Sequence, residues 1–594
     1  KEYQDMTPTG GMAMFGFGKK DAPPPKKEQK KNLDPNRDVH VSKGFGMEFP
    51  WVKGDLKFED QVVKDVAIRY TGNSTYQMSA QGPKRPFKID VNHYIEDQKV
   101  FGLGSLTLRN GAADSTRIRD ALGYAIFRAA GVPAPRTAFI KMHLTVPGKY
   151  DKSYIGVYTL VETVDKPFLK ANFGSNDGML LKPERIQGLA YLGENWNAYK
   201  DRYNPKREPT EAQKKRLIEF TKLVNNANDA TFQQKIGDYL HVDNFLRFAA
   251  ANSLIANLDS FFGLGHNYYL YLNPKDNKFH FMPWDLDLAF GGMGFGGGTT
   301  DQIEWSISEP YMGKNRLTER ILAMKEHNAS YRKHLRTLVE GPYSQKHLGV
   351  TIAALEKTVR DAKEPAGKGV GFTGFGGPKQ DLRSFTAKRA ESVLAQLDGK
   401  STGKQLAGFN FGGALKGGGP GAKGGNPFAL GPRLARPILD FADANKSGQL
   451  TLNEWHAAAG KLFQEAGGDE KTMISHEQLG DAINRAMPVP QGFGGFKAPK
   501  GFGPGKGIAN AMFKELGVAT DRKIARDPFL DAAEKLFKQW DKDKSSSLDE
   551  KELVDGINQA IPPPEFGPIV GPGPGPAAPK KDFPGKDAPK EKNP

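Results

Sequence analysis

The sequence predicts an α+β protein in two parts, a β-rich and then helical body over residues 39–400 and an all-α module over 435–570. Three observations carry this expectation. Runs rich in β-branched and aromatic residues crowd the chain up to about residue 160, and helical periodicity takes over after about residue 210. Gly/Pro-rich stretches then separate the body from the module. Within the module, the sequence matches itself after a shift of 74 residues.

Taken in order, residues 1–38 form a basic Pro/Gly-rich segment. Val62–Tyr70, Arg85–Val91, Ser105–Leu108 and Tyr154–Val161 then read as strands bounded by turn residues. Ser115–Ala130 reads as a helix, with Arg117, Asp120, Tyr124 and Phe127 at helical spacing and Gly131-Val132-Pro133 as its stop. Asn267–Leu272 and Lys278–Met282 are two short strands of a hairpin inside the otherwise helical second half. A strand-rich half followed by a helical half fits a two-lobed α+β domain. Gly10–Pro25, Gly291–Gly298, Gly367–Gly377, Gly408–Pro432, Gly492–Gly507 and Gly567–Pro579 cannot bury enough apolar area to offset their ordering entropy and read as loops or linkers. The main linker is placed at 401–434 and a Pro/Lys-rich tail at 571–594.

The 594 residues suffice for about three to five domains. Lys and Arg number 84 against 68 Asp and Glu, a net charge of +16. With Lys-Pro tails at Lys19–Lys31 and Lys580–Lys592, that charge favours solubility or attachment to an anionic surface polymer. Nucleic acid is disfavoured as a partner, since there is neither an Arg-rich recognition helix nor an aromatic RNA-binding signature. The absence of cysteine excludes a disulfide framework, a Cys-ligated metal and a thiol nucleophile, and is compatible with an oxidising exterior. No run approaches the ~18 apolar residues of a membrane span. The chain opens at Lys1 and not at Met, which fits removal of an N-terminal segment, either a signal peptide or a trimmed stretch.

The most informative stretch runs Asn257-Leu258-Asp259, then His266-Asn267-Tyr268, then Pro283-Trp284-Asp285-Leu286-Asp287. An acid follows a helix, an Asn opens one strand of the hairpin, and a second acid follows the other strand. Two carboxylates and an amide gathered by a hairpin suit a hard cation such as Mg2+, and they match the base Asp, metal Asn and metal Asp of phosphoryl transfer. On spacing alone, caps and turns remain the commoner role for such Asp residues. Trp284 and the alternating tyrosines read as core and hairpin packing, and His266 as an anchor of the hairpin. His266 has no His partner at ligand spacing, which argues against zinc there. A Gly-x-Ser-x-Gly elbow for a serine hydrolase is absent.

These motifs resemble the signature of the CotH family, the spore-coat-protein-H-like atypical kinases. Agreement extends through Val66–Ser74, Lys84–Lys88, Asp114–Ala130, Gly131–Arg136 and Tyr154–Asp165, so the resemblance covers roughly 39–400. It implies a two-lobed protein-kinase-like fold that binds ATP with Mg2+ or Mn2+ and phosphorylates Ser/Thr of proteins. By that resemblance Asp259 is the catalytic Asp, Asn267 and Asp285 are metal ligands, and Asp287 is an auxiliary ligand. Lys88 is the phosphate-contacting lysine, Arg69 a supporting cation, and Glu162 the acid that orients Lys88. The gap from Asp259 to Asn267 is eight residues, against about five in ordinary kinases. No GxGxxG lid precedes Lys88, leaving Gly72-Asn73-Ser74 as a short substitute, and Gly291–Gly298 stands where an activation segment would be.

Asp443–Glu454 fits a twelve-residue EF-hand loop, with ligands Asp443, Asn445, Ser447, Gln449, Thr451 and Glu454 and Gly448 at position 6. Asp541–Glu552 fits too, through Asp541, Asp543, Ser545, Ser547, Asp549 and Glu552, although Ser546 stands at position 6. That position needs a left-handed backbone, costing a non-Gly residue about 1–2 kcal/mol. The repeat adds two degenerate units, 467–478 and 517–528, ending in Gln478 and Pro528. The expected arrangement is therefore an EF-hand duplication of four units in two pairs. Each pair would keep one working loop, and its degenerate neighbour would supply the β-bridge partner. The few carboxylates of the first loop suggest near-millimolar, structural Ca2+.

The combined expectation is a secreted or cell-surface bacterial CotH-like protein kinase acting on Ser/Thr of extracellular or envelope proteins, with a calcium-binding C-terminal module. The rival is a catalytically silent calcium-binding structural or adhesive surface protein on the same scaffold.

Overall fold

The computed structural model describes residues 6, 9–10, 39–42, 47–79, 82–293, 298–364, 381–406, 431–486 and 504–560. Most of each segment read as a linker or tail lies outside these residues, namely 11–25, 294–297, 367–377, 408–430, 492–503 and 567–579 with both Lys-Pro tails.

Three short strands, β1 (Thr9–Gly10), β2 (Val39–Ser42) and β3 (Met47–Pro50), pair in the order β1-β3-β2. They precede a six-stranded antiparallel sheet of β4 (Val52–Phe58), β5 (Gln61–Tyr70), β6 (Phe87–Asp90), β7 (Ser105–Arg109), β8 (Thr137–Val146) and β9 (Tyr150–Val161), in the order β4-β5-β6-β7-β9-β8. The four strand readings fall on β5, β6, β7 and β9. The sequence reading did not identify β4 and β8. β8 is an edge strand whose residues are all half-buried or exposed, so its apolar pattern is weak. One sheet face is covered by Val66, Tyr70, Phe87, Ile89, Leu108 and Tyr158, all buried.

Between β7 and β8 the chain forms the predicted helix. α1 is the short Ser74–Met78 turn, and α2 (Arg119–Ala129) buries Leu122, Tyr124, Ile126 and Phe127. After α3 (Lys166–Phe173), β10 (Met179–Leu181) and α4 (Trp196–Tyr203), the helical half begins with α5 (Glu211–Asn226), α6 (Asp229–Tyr239) and α7 (Val242–Leu254). Next comes the predicted hairpin of β11 (Tyr268–Asn273) and β12 (Lys278–Pro283). Asn277 closes its turn at φ +53°, a conformation Asn tolerates, and donates its N–H to the Asn273 carbonyl at 2.8 Å. All six residues of β11 are buried, paired with β12 on one side and β10 on the other. Four longer or shorter helices complete this half after α8 (Gly298–Ile303): α9 (Arg316–Leu322), α10 (Lys325–Glu340), α11 (Gln345–Asp361) and α12 (Leu382–Leu397).

The C-terminal part has a core of its own. It contains α13 (Gly431–Ala442), α14 (Leu452–Glu465), α15 (His476–Ala486), α16 (Pro504–Glu515), α17 (Arg526–Trp540) and α18 (Glu550–Ala560). α13 and α16 start inside the stretches read as linker, and Leu434, placed in the linker, is buried. Four two-residue strands link the loops: β13 (Leu450–Thr451), β14 (Ile474–Ser475), β15 (Lys523–Ile524) and β16 (Ser547–Leu548). β13 pairs with β16, and β14 with β15. This corrects the expected pairing, because loops 443–454 and 541–552 bridge each other and segments 467–478 and 517–528 bridge each other. Sequence neighbours cannot pair because 443–454 and 467–478 share α14, which holds them at its opposite ends.

Candidate active site

The sheet brings a row of polar residues together. Register places Arg69 opposite Lys88, and Lys88 opposite Thr107. The Lys88 ammonium donates to Ser105 Oγ (3.1 Å), Thr107 Oγ1 (3.0 Å) and Thr163 Oγ1 (2.7 Å). Burial, aided by the Arg69 charge, lowers its pKa to about 8. Arg69 donates to the Tyr70 carbonyl at 2.9 Å, and its guanidinium lies over the Trp51 ring.

Glu162 does not partner Lys88, contrary to expectation. β8 and β9 pair Thr137 with Val161, which sets Arg136 beside Glu162. The Glu162 carboxylate accepts from the Arg136 backbone N–H (2.9 Å), Nε (3.1 Å) and the guanidinium terminus (2.6 Å). The carboxylates whose charge acts on Lys88 are Asp165 and Asp90. Asp165 caps α3 through the Phe168 N–H.

The long gap between Asp259 and Asn267 is a pinned loop. Phe261 and Phe262 are fully buried. The Ser260 carbonyl accepts from Gly263 and Gly265, the Phe262 carbonyl from Met312 N, and the Gly265 carbonyl from Ile186 N. Gly265 has φ +72°, and a Cβ there would sit 2.6 Å from the Ile186 carbonyl carbon, so no other residue fits. The loop returns the chain so that Asn267 Nδ2 donates to Asp259 Oδ2 at 2.9 Å and to the Asp259 carbonyl at 3.0 Å. His266 Nε2 bonds Asp259 Oδ1, so His266 anchors the acid as well as the hairpin. Across the hairpin mouth the Trp284 N–H donates to the Asn267 carbonyl at 3.1 Å, which sets Asp285 beside Asn267. Both residues adopt left-handed backbones, φ +56° and +58°.

Asp285 and Asp287 meet a hub that the sequence reading missed. Arg109, at the end of β7, pairs with Asp285, with Asp120 of α2 (Nε to Oδ2, 3.0 Å) and with Asp287 (3.5 Å). α2 also contributes Tyr124, whose hydroxyl accepts the Asp285 N–H at 3.0 Å, while Asp120 Oδ1 accepts the Leu286 N–H at 2.9 Å. The helix gets this close because residue 123 is Gly; a Cβ there would fall 2.8 Å from Leu286 Cδ1. Burial pushes Asp120 up to about 6 against the pull of Arg109. Burial, and then the neighbouring Asp285, hold Asp287 well above the usual carboxylate range. A signal for this hub did exist, in that Asp120 and Tyr124 are polar groups one turn apart on an otherwise apolar helix face.

Asp259, Asn267, Asp285 and Asp287 line one cavity of about 970 Å3 together with Arg69, Lys88, Arg109 and Lys182, and Gly72, Asn73 and Ser74 stand on its wall. Glu162 is not among its lining residues. Burial lowers the pKa of Lys182, whose ammonium lies 5.4 Å from the Trp284 ring centroid. The Asn267 amide nitrogen is committed to Asp259, whereas its Oδ1 accepts no hydrogen bond among the described residues. An amide oxygen beside carboxylates is the donor set that Mg2+ and Mn2+ prefer, and the Arg69, Lys88 and Lys182 cations that line the same cavity suit phosphates.

In the C-terminal loops, Glu454 accepts from the Thr451 N–H and hydroxyl and from the Ala444 and Asn445 N–H groups. Glu552 is held the same way by Lys542, Asp543 and Asp549 N–H. One oxygen each of Asp541, Asp543 and Glu552 lies within 4.8 Å of the others. Ser546 takes the left-handed backbone that position 6 requires, φ +64°. Gln449 and Ser547 hydrogen-bond across the bridge between the loops at 3.1 Å.

A family model described as CotH kinase protein matches residues 68–392, more than half of the chain. The chain belongs to this family. It is similar to the inner spore coat protein H of Bacillus subtilis (strain 168), with 24% identity over 306 residues covering 50% of this chain and 77% of that protein. The curled sheet and the helical half are compatible with a kinase-like domain. Among the described residues, no helix is long and apolar enough to cross a membrane.

Proposed function

We propose that this protein is an atypical protein kinase that transfers the γ-phosphoryl group of ATP to Ser/Thr hydroxyls of coat or envelope proteins. Its body would be 39–400, and 435–570 would be a calcium-binding EF-hand module. The observation that carries the reading is that Asp259, Asn267 and Asp285 share one cavity with Lys88 and Arg69.

In this reading Asp259, held by His266 and Asn267, takes the proton of the substrate hydroxyl. The hydroxyl oxygen bonds to the γ-phosphorus as the bond to the bridging oxygen breaks, and ADP leaves with that electron pair. Asn267 Oδ1 and Asp285 would hold Mg2+ or Mn2+, with Asp287 behind them, and the ion would neutralise phosphate charge. Lys88 and Arg69 bind and orient the phosphates. The relative's name refers to an inner spore coat, and we extend that setting here as a surface or coat location, secretion included. Ca2+ would fill loops 443–454 and 541–552, through Asp443, Asn445, Ser447, Gln449, Thr451 and Glu454 in the first and Asp541, Asp543, Ser545, Ser547, Asp549 and Glu552 in the second.

One observation favours the silent-scaffold reading, namely that Arg109 already neutralises Asp285. An ATP assay in Mg2+ or Mn2+, wild type against Asp285→Ala, separates the two. The kinase reading expects phosphate incorporation by the wild type alone. Equal incorporation in both proteins, or none in either, removes it.

A further inference from the structure

We propose that His241, Asp276 and His280 form a transition-metal site of zinc type at the turn end of the β11–β12 hairpin. The site is independent of the cavity described above. His280 stands five residues before Asp285, and its strand partner Tyr271 four residues after Asn267, so at ~3.3 Å per residue the site lies roughly 13–17 Å along the hairpin from that pair.

The fold assembles these residues from three places. His241 is the N-cap of α7, Asp276 sits in the hairpin turn, and His280 lies on β12. The His241 N–H donates to the Phe279 carbonyl at 3.1 Å, and Leu240 bridges Phe279 in parallel, which sets the two imidazoles side by side. Their ring centroids are 4.6 Å apart. One ligand atom from each of the three side chains lies within 4.8 Å of the others. His280 Nε2 and Asp276 Oδ2 are already 2.8 Å apart. Tetrahedral Zn2+ with bonds of ~2.0–2.2 Å spaces its ligands about 3.4 Å apart, so closure needs shifts of about 1 Å, within reach of a turn residue and two rings.

Two imidazole nitrogens and one carboxylate are the donors of a three-ligand zinc site, with water in the fourth position on the exposed Asp276 side. His280 is buried, so its imidazole is held in place by the surrounding core. Phe173 packs its edge against the His280 ring at 5.2 Å and limits its rotation. Loading replaces the hydrogen bond between His280 Nε2 and Asp276 Oδ2. It also releases the 3.2 Å cap bond from the Asn244 N–H to His241 Nδ1. The bound ion would then tie the hairpin to the start of α7 and stiffen the strand pair that carries Asn267 and Asp285 at its other end.

The test uses the full chain with Ca2+ and Mg2+ saturating, so that oxygen-rich sites are filled, and Zn2+ and Co2+ as probes. Wild type is expected to take up one Zn2+ more than His280→Ala or Asp276→Ala, to melt higher with Zn2+, and to give the intense visible spectrum of tetrahedral Co2+. Should those variants fail to fold, His241→Asn decides, because Asn also caps helices well. It should keep the fold while its affinity drops about 100-fold or more. Zinc uptake by His241→Asn equal to wild type, or none by wild type, overturns the proposal.

Discussion

Arg109 sets the charge balance of the site, since three carboxylates close on one guanidinium. Removing it leaves Asp120 and Asp287 buried without their ion-pair partner, so Arg109→Ala should lose about 3–5 kcal/mol of stability. Mg2+ or Mn2+ should restore part of that loss, seen as a larger metal-dependent rise in melting temperature than wild type shows. A melt indifferent to either metal counts against Asp285 and Asp287 as ligands. Lys88 makes a second prediction. Its folded pKa of about 8 lies below its ordinary 10.5, so between these values the folded chain holds fewer protons than the unfolded one. Lys88 therefore makes stability rise with pH across that window, while the ammonium that would hold phosphate is lost. Calorimetric ATP affinity should fall from pH 7 to pH 9, and a flat profile would contradict the assigned role. Asp259, Asn267 and Asp285 were legible in the sequence because motif and hairpin lie within one short stretch. Arg109 was not, because a lone Arg at a strand end looks like a solvated residue until α2, packed through Gly123, brings Asp120 to it. Glu162 was misread for the complementary reason: only the β8–β9 register shows that Arg136 claims it.

Among the elements, the hairpin and most strands of the sheet were legible from β-branched and aromatic runs, whereas edge strand β8 had no apolar alternation strong enough to see. Loops 443–454 and 541–552 fall between helices, but which loops bridge was not legible, because joining β13 to β16 pairs positions 98 residues apart. If both loops bind Ca2+, this bridge couples them. Glu454→Gln should abolish the first site and also weaken the second, giving a lower melting temperature in calcium. Titration that leaves the second site at wild-type affinity would contradict the coupling. A melt indifferent to EDTA would contradict calcium binding altogether.

For the molecule as a whole, a strap joins the end of α11 to the sheet. The Glu364 carboxylate accepts from Lys84 Nζ (2.7 Å), the Val157 N–H (3.0 Å) and Arg117 (2.5 Å), while the Tyr154 hydroxyl donates to the Ala362 carbonyl at 2.9 Å. Lys84 is buried, and Glu364→Ala would leave it beside Arg117 without an acid. Denaturant unfolding should show a loss of roughly 2–3 kcal/mol, and a change under about 0.5 kcal/mol would show that the strap is incidental. The central claim, that these residues perform phosphoryl transfer, is tested most directly with γ-labelled ATP, Mg2+ or Mn2+ and a mixed pool of Ser/Thr peptides. Wild type should label the peptides, and Asp259→Asn should bind ATP with unchanged affinity yet label none; equal labelling by the two proteins, or no labelling by wild type with either metal, would contradict the claim.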